Sequence, residues 1–446
     1  GLQPIATPLS LGGVSSSVRQ AFAPWLQQQG FAPLAAAHAG HVGHASPAAR
    51  PSGPAQERLV PGGSVAAILV SGDVDVAATG TVTTVTGRDV LAFGHPFMSS
   101  GAVSLPLAQA DILNVMASSM RSFKMSVTGP VVGELTQDRL TAIAGRLGQH
   151  AATVSVSGWV KTPAGTSPIE LHIARDPQMT PRLLAMSLAG SLTGRVGANQ
   201  RGTVRYRAEL RRPDAPPVVL TNVHAGQRDS GLLSTAAVDV ARAFAALWEA
   251  PFGPPPLLSV YLEVAVQPEP IEEFVESLSL GASRVHPGDS VEVAVRLRRR
   301  DTGPHSRAGL PPRDDGQATF IERFTLEVPR RWAGRQLRLQ AGGAAAADRQ
   351  SLEVEGLPQP HSLAEMGALL AQRRHAGALY LQVVRPGVGL QAGGQALPFL
   401  PPSMVATLQH EDRSSRLSSG VDQEVVRPRP GVVVGRAQGV LEVLAQ

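Results

Sequence analysis

A chain of 446 residues with 43% hydrophobic side chains can bury roughly two to four cores of ordinary size, which excludes a single small domain. It contains no cysteine, so disulfide staples, thiolate metal sites and cysteine nucleophiles are excluded. The net charge of +5 rests on basic residues that are all arginine except Lys124 and Lys161; the densest run, Arg296-Leu297-Arg298-Arg299-Arg300, has no interleaved aromatic residues and is followed by Asp301, so no nucleic-acid partner is expected.

The chain opens Gly1-Leu2-Gln3-Pro4, without a methionine, a charged leader or an apolar run, and this start reads as the interior of a longer protein. No stretch approaches the ~18 apolar residues of a membrane span, so none is expected in this portion. Residues 1–58 read as an N-terminal arm and linker. Within them 18–29 suit a short amphipathic helix interrupted by Pro24 and closed by Gly30, and 35–56 are mostly Ala, Gly, His, Ser and Pro.

From Leu59 the pattern alternates with period two, the mark of half-buried strands, and residues 59–175 read as a compact, mostly antiparallel β unit. Its strands are expected at 65–70, 74–85 and 89–93, with Thr86-Gly87-Arg88 as a hairpin turn, then at 123–127, 131–135, 153–161 and 169–174. Between them, 108–120 reads as a helical or irregular crossing segment. Residues 176–268 read as an α+β portion with helices at 180–192 and 234–248. Thr180 is the expected cap of the first, and Pro181 its first helical residue. Strands are expected beside them at 202–210, 218–223 and 257–266.

Residues 269–345, with strands at 275–280, 290–297, 319–328 and 336–340, suit an Ig-like β-sandwich. In 346–446, a C-terminal β-rich portion, a capping box of Ser362 with Glu365 opens a helix over 362–372 before strands return at 379–384 and 431–444. The fold class is therefore mainly β.

His95 is the leading candidate for chemistry. It stands in Val90-Leu91-Ala92-Phe93-Gly94-His95-Pro96-Phe97, where a strand anchored in a core ends in a glycine and a proline that fix the corner. An imidazole so placed can serve as general base, or can be a turn residue bonding backbone carbonyls. Asp138, in Thr136-Gln137-Asp138-Arg139, can orient that imidazole as the acid of a triad, with Arg139 ion-paired elsewhere, or can bond turn amides. Asp73 and Asp111 have weaker claims.

No serine elbow such as Gly-x-Ser-x-Gly is present. Ser99 and Ser100 follow His95 too closely to face it, and Ser118, Ser119 and Ser122 read as helix or loop serines. His38, His41 and His44 have metal-ligand spacing but lie in a linker composition without carboxylates, so neither metal nor cofactor is expected.

The segments Ala78-Thr79-Gly80-Thr81-Val82-Thr83, Ala92 to Phe97, Ser122-Phe123-Lys124, and Gly133-Glu134-Leu135-Thr136-Gln137-Asp138-Arg139 with Ile143-Ala144-Gly145 resemble the SpoIVB peptidase family over residues 59–160. That resemblance implies a chymotrypsin-like β-barrel, serine endopeptidase activity and His95 as the base. It further implies that a Gly-Met-Ser-Gly-Ser-Pro motif bearing the nucleophile precedes a segment like Leu2 to Leu9, so the chain as given is expected to be an inactive part of a peptidase. Protein or peptide partners and a secreted, periplasmic or cell-envelope location are expected with it. The alternative is a non-catalytic envelope or surface binding protein built on the same barrel and Ig-like modules.

Overall fold

The computed structural model describes residues 6–36, 59–116, 123–197, 201–226, 231–253, 256–299, 318–355, 360–392, 395–397, 400–411 and 416–445. The fold is mainly β, with 54% strand and 21% helix. Most of the 35–56 linker composition falls outside these residues.

The first unit begins with β1 (Thr7–Gly12), α1 (Ser16–Gln28) and β2 (Phe31–Ala35), the two strands pairing in parallel around the helix. Ser15 caps α1 by accepting the Val18 amide, and Pro24 is held inside the helix. Two three-strand meanders follow: β3 (Ser64–Gly72), β4 (Asp75–Thr86) and β5 (Asp89–Ala92), then β6 (Gly101–Met116), β7 (Phe123–Asp138) and β8 (Ile143–Leu147). The meanders join edge to edge, β3 to β6 and β5 to β8, so six antiparallel strands close into a ring. Alternate residues such as Val65, Ala67, Val82, Val90, Leu107 and Leu135 fill its interior, where closure also removes exposed strand edges.

The helical or irregular segment expected over 108–120 is corrected: as far as Met116 it is strand, and residues 117–120 lie outside the described ones. Ala108 and Ala110 cover Ala66, Ile68 and Ala77 on the ring's outer surface while their backbone pairs with β7, so tertiary pairing overrides the helical preference of alanine. The strands expected at 123–127 and 131–135 are one strand. Its register slips between Thr128 and Val131, which accommodates Pro130 at a bulge.

The same sheet continues outward through β9 (Thr153–Thr162), β10 (Gly165–Ala174), β11 (Gly202–Arg212), β12 (Ala215–Gly226) and β13 (Ser259–Gln267). β10 pairs with β3 and β13 with β9, making thirteen strands in all. α2 (Thr180–Val196) and α3 (Leu232–Trp248) pack on it and share the ring's core. The division expected at 175/176 therefore runs through one sheet and one core. Thr180 is not the cap of α2: Met179 occupies that position, and the Thr180 hydroxyl accepts the Asp176 amide and lies 2.8 Å from the Ala174 carbonyl. Among the described residues no side chain caps α2; Asp176 instead accepts the amides of Gln178 and Met179 in the turn that leads into it.

The second unit contains β14 (Glu272–Leu280), β15 (Arg284–Val285), β16 (Ser290–Arg299), β17 (Thr319–Glu327), β18 (Arg335–Gly342), β19 (Ala378–Ala392), β20 (Gln395–Leu397), β21 (Arg416–Pro428), β22 (Val432–Val434) and β23 (Arg436–Val443). α4 (Ala344–Glu355), α5 (Leu363–Ala371) and α6 (Pro402–Glu411) accompany them. One sheet runs β17-β16-β14-β22; the other runs β15-β23-β18-β19-β20, with β21 on β19. Val293 and Leu326 of the first sheet meet Leu339, Leu381 and Leu441 of the second in one core. The boundary expected at 345/346 thus divides a single core, because its closing strands come from the last hundred residues.

Ser362 accepts the Glu365 amide, as the capping box predicts, and the Glu365 carboxylate reaches back to the His361 amide. Leu363, Met366 and Leu370 of α5 pack on the first unit's core, so this helix ties the two units together. Among the described residues no helix is long and apolar enough to cross a membrane.

Candidate functional site at the His95 corner

β5 ends at Ala92, and the next two residues turn left-handed, Phe93 with φ 75° and Gly94 with φ 71°. Glycine adopts that conformation freely, whereas a phenylalanine there costs about 1–2 kcal/mol. Packing holds it. The Phe93 amide donates to the Thr81 carbonyl at 2.9 Å, and its ring lies against Gly80, where a Cβ would stand 2.1 Å from the ring. Phe93 also meets Phe97, which is buried and packs on Phe31.

His95 projects from this corner exposed to solvent, its ring tilted over Phe93 at 5.6 Å between centroids. Its Nδ1 lies 2.7 Å from the Pro96 carbonyl oxygen. A carbonyl can only accept, so the bond requires Nδ1 to carry a proton, and in the neutral ring the lone pair is then on Nε2.

Asp138 closes β7 directly beneath the corner and is 1% exposed. Its Oδ1 accepts the Phe97 amide at 2.7 Å, and its Oδ2 accepts those of Met98 at 2.6 Å and Ser100 at 3.2 Å. Of the two roles open to it in the sequence, this geometry is that of an acid bonding turn amides; no hydrogen bond joins it to the imidazole among the described residues. Arg139 donates to the Gln137 side chain at 2.9 Å.

The other candidates lie apart. Asp73 is held by Arg195 at 2.6 Å, Ser191 at 2.8 Å and the Glu170 amide at 3.0 Å, a structural tie between the β3–β4 turn and α2. Asp111 sits on β6 opposite Val127. Among the described residues no serine hydroxyl is bonded to His95, and no three His, Asp or Glu side chains converge as metal ligands do. Ser118, Ser119, Ser122, His38, His41 and His44 lie outside the described residues.

Sequence reading missed a second polar cluster. Asp239 of α3 receives the Tyr206 hydroxyl at 2.6 Å, the Asn222 amide at 2.9 Å and the Arg373 guanidinium at 2.8 Å. His224 Nε2 stands 3.3 Å away without forming a hydrogen bond. Burial pushes the Asp239 carboxyl up, but the contact with His224, hydrogen bonds from Tyr206 and Asn222 and the charge of Arg373 more than reverse this and hold it well below the usual range. The signal was a single acid among the buried apolar residues of α3, facing Tyr206 and Asn222 at directly paired positions of β11 and β12. The adjoining cavity, about 30 Å³, has room for water and not for a substrate.

Comparison with known protein families, with curated proteins and with solved structures finds no match to this chain.

Proposed function

We propose that residues 59–175 form a chymotrypsin-like barrel of the SpoIVB peptidase type in which His95 is the general base of a serine endopeptidase. The second unit is then an Ig-like accessory module. The observation that carries this reading is the exposed imidazole on a left-handed corner beside a closed antiparallel ring, with Nδ1 engaged and Nε2 available. Left-handed non-glycine residues persist where packing enforces them, and they cluster at active sites.

The resemblance implies a nucleophilic serine in a Gly-Met-Ser-Gly-Ser-Pro motif that these 446 residues do not contain, so on this reading they are inactive by themselves. Substrates are proteins or peptides, met outside the cytoplasm in the periplasm, cell envelope or medium. A fluorophosphonate probe tests this on the natural full-length product. Labelling that falls roughly 10²- to 10⁴-fold in His95→Ala is the expected result. No labelling, or labelling indifferent to His95, overturns it.

One observation favours a second reading, a non-catalytic envelope or surface binding protein. Both Asp138 oxygens are committed to backbone amides, so no carboxylate contacts the imidazole directly among the described residues. Absence of probe labelling in the full-length product is the outcome that reading requires.

A further inference from the structure

The geometry points to a peptide-bridged Asp138–His95 pair, in which Asp138 is a positioning residue that acts on the imidazole through the single peptide group between Pro96 and Phe97. The inference rests on the reading of His95 as a base. A conventional triad acid accepts the Nδ1 proton directly. Here the Pro96 carbonyl takes that place at 2.7 Å, and the amide of the same peptide group donates to Asp138 Oδ1, also at 2.7 Å.

A trans peptide is planar, with its N–H and C=O pointing opposite ways. The chain's described residues contain no cis bond, so fixing the Phe97 amide on the carboxylate fixes the direction of the Pro96 oxygen. The bridge also polarises. A carboxylate on the N–H side increases negative charge on the carbonyl oxygen, strengthening it as an acceptor for the imidazole N–H. Oδ2 holds the next turn by the amides of Met98 and Ser100, so the carboxylate that fixes the Phe97 amide is itself anchored by two further hydrogen bonds. Asp138 is buried, which keeps those bonds out of competition with water.

Histidine-ring ¹⁵N spectra of this chain read the bridge without needing hydrolysis. Wild type is expected to show His95 with the proton on Nδ1 and a lone pair on Nε2. Asp138→Ala should lose that signature and give the tautomer mixture of a free exposed histidine, with Asp138→Asn restoring part of it. If Asp138→Ala does not fold, replacing Phe97 by phenyllactic acid exchanges the bridging N–H for an ester oxygen, which also weakens the Pro96 carbonyl as an acceptor, and should lose the signature too. A folded Asp138→Ala, or a folded ester variant, with unchanged His95 signals overturns the bridge. Loss of the signature in a protein whose full-length form never labels with a fluorophosphonate leaves the bridge standing and removes only the peptidase reading.

Discussion

The Tyr206 hydroxyl donates to the Asp239 carboxylate over 2.6 Å between β11 and α3, and Arg373, from the loop after α5, reaches the other oxygen at 2.8 Å. One acid thus joins sheet, helix and the chain returning from the second unit. Asn222 extends the tie, since its side-chain oxygen accepts the Ala376 amide at 2.9 Å. Asp239→Ala leaves a tyrosine and a guanidinium without their acceptor, and should cost about 3–5 kcal/mol in urea unfolding. Tyr206→Phe should cost about 1–2 kcal/mol. Equal and small losses in the two variants would show that the acid is not the hub.

Stability should fall with acid in two stages. Burial and the charges of Arg205 and His224 hold His375 below its ordinary value of 6.5, so the folded state binds fewer protons than the unfolded chain and stability declines as pH drops through about 6.5. Glu273, driven up by burial but brought lower by Arg429 and Arg299, and Asp422, likewise offset by Arg331 and Trp332, sit beside Asp239 below their ordinary ranges. Their contribution is complete above the unfolded values, 4.5 and 3.8, and is lost below them. Melting temperature should be level near pH 8, slope gently below about 6.5 and drop steeply below about 4. His375→Gln should abolish the gentle slope and keep the steep one.

Much of this architecture was legible because short alternating runs broken by Gly and Pro read as strands, as at β9, β13 and β16. What escaped was decided at long range. Ala108 to Met116 carries no period that separates strand from helix; its pairing with β7 and its cover over Ala66 and Ile68 settle the matter. The extent of the second core was hidden because Val433, Leu441 and Val443, near the end of the sequence, share a core with Val275. At the candidate site the sequence singled out both His95 and Asp138, but the peptide joining them is invisible to side-chain motifs. Asp239 was missed because its partners are separated by up to 134 positions.

Gly80 and Phe93 should prove coupled. A Cβ at position 80 would fall 2.1 Å from the Phe93 ring, whose near edge belongs to a rigid aromatic held by Phe97. Gly80→Ala should destabilise by about 1–3 kcal/mol through overpacking. Phe93→Ala removes the obstacle, so the double variant should cost less than the sum of the singles by more than about 0.5 kcal/mol. Strict additivity in thermal or urea unfolding would place the strain elsewhere.

Removing residues 430–446 should unfold the second unit instead of trimming a tail. β22 extends the sheet beside β14, and β23 lies between β15 and β18 with Leu441 fully buried. The loss deletes one inner strand and several core side chains, each worth about 1.5–3 kcal/mol when buried, against a domain stability of about 5–15 kcal/mol. Trp332 is the reporter. It is 0% exposed, bonded to Asp422 at 2.7 Å, and the remaining three of the four tryptophans, Trp25, Trp159 and Trp248, belong to the first unit. In the truncated chain Trp332 should become open to acrylamide quenching, while the quenching of Trp25 and Trp248 keeps its intact value; with Trp25, Trp159 and Trp248 all replaced by phenylalanine so that Trp332 alone emits, a protected Trp332 would show that the second unit closes without its last two strands.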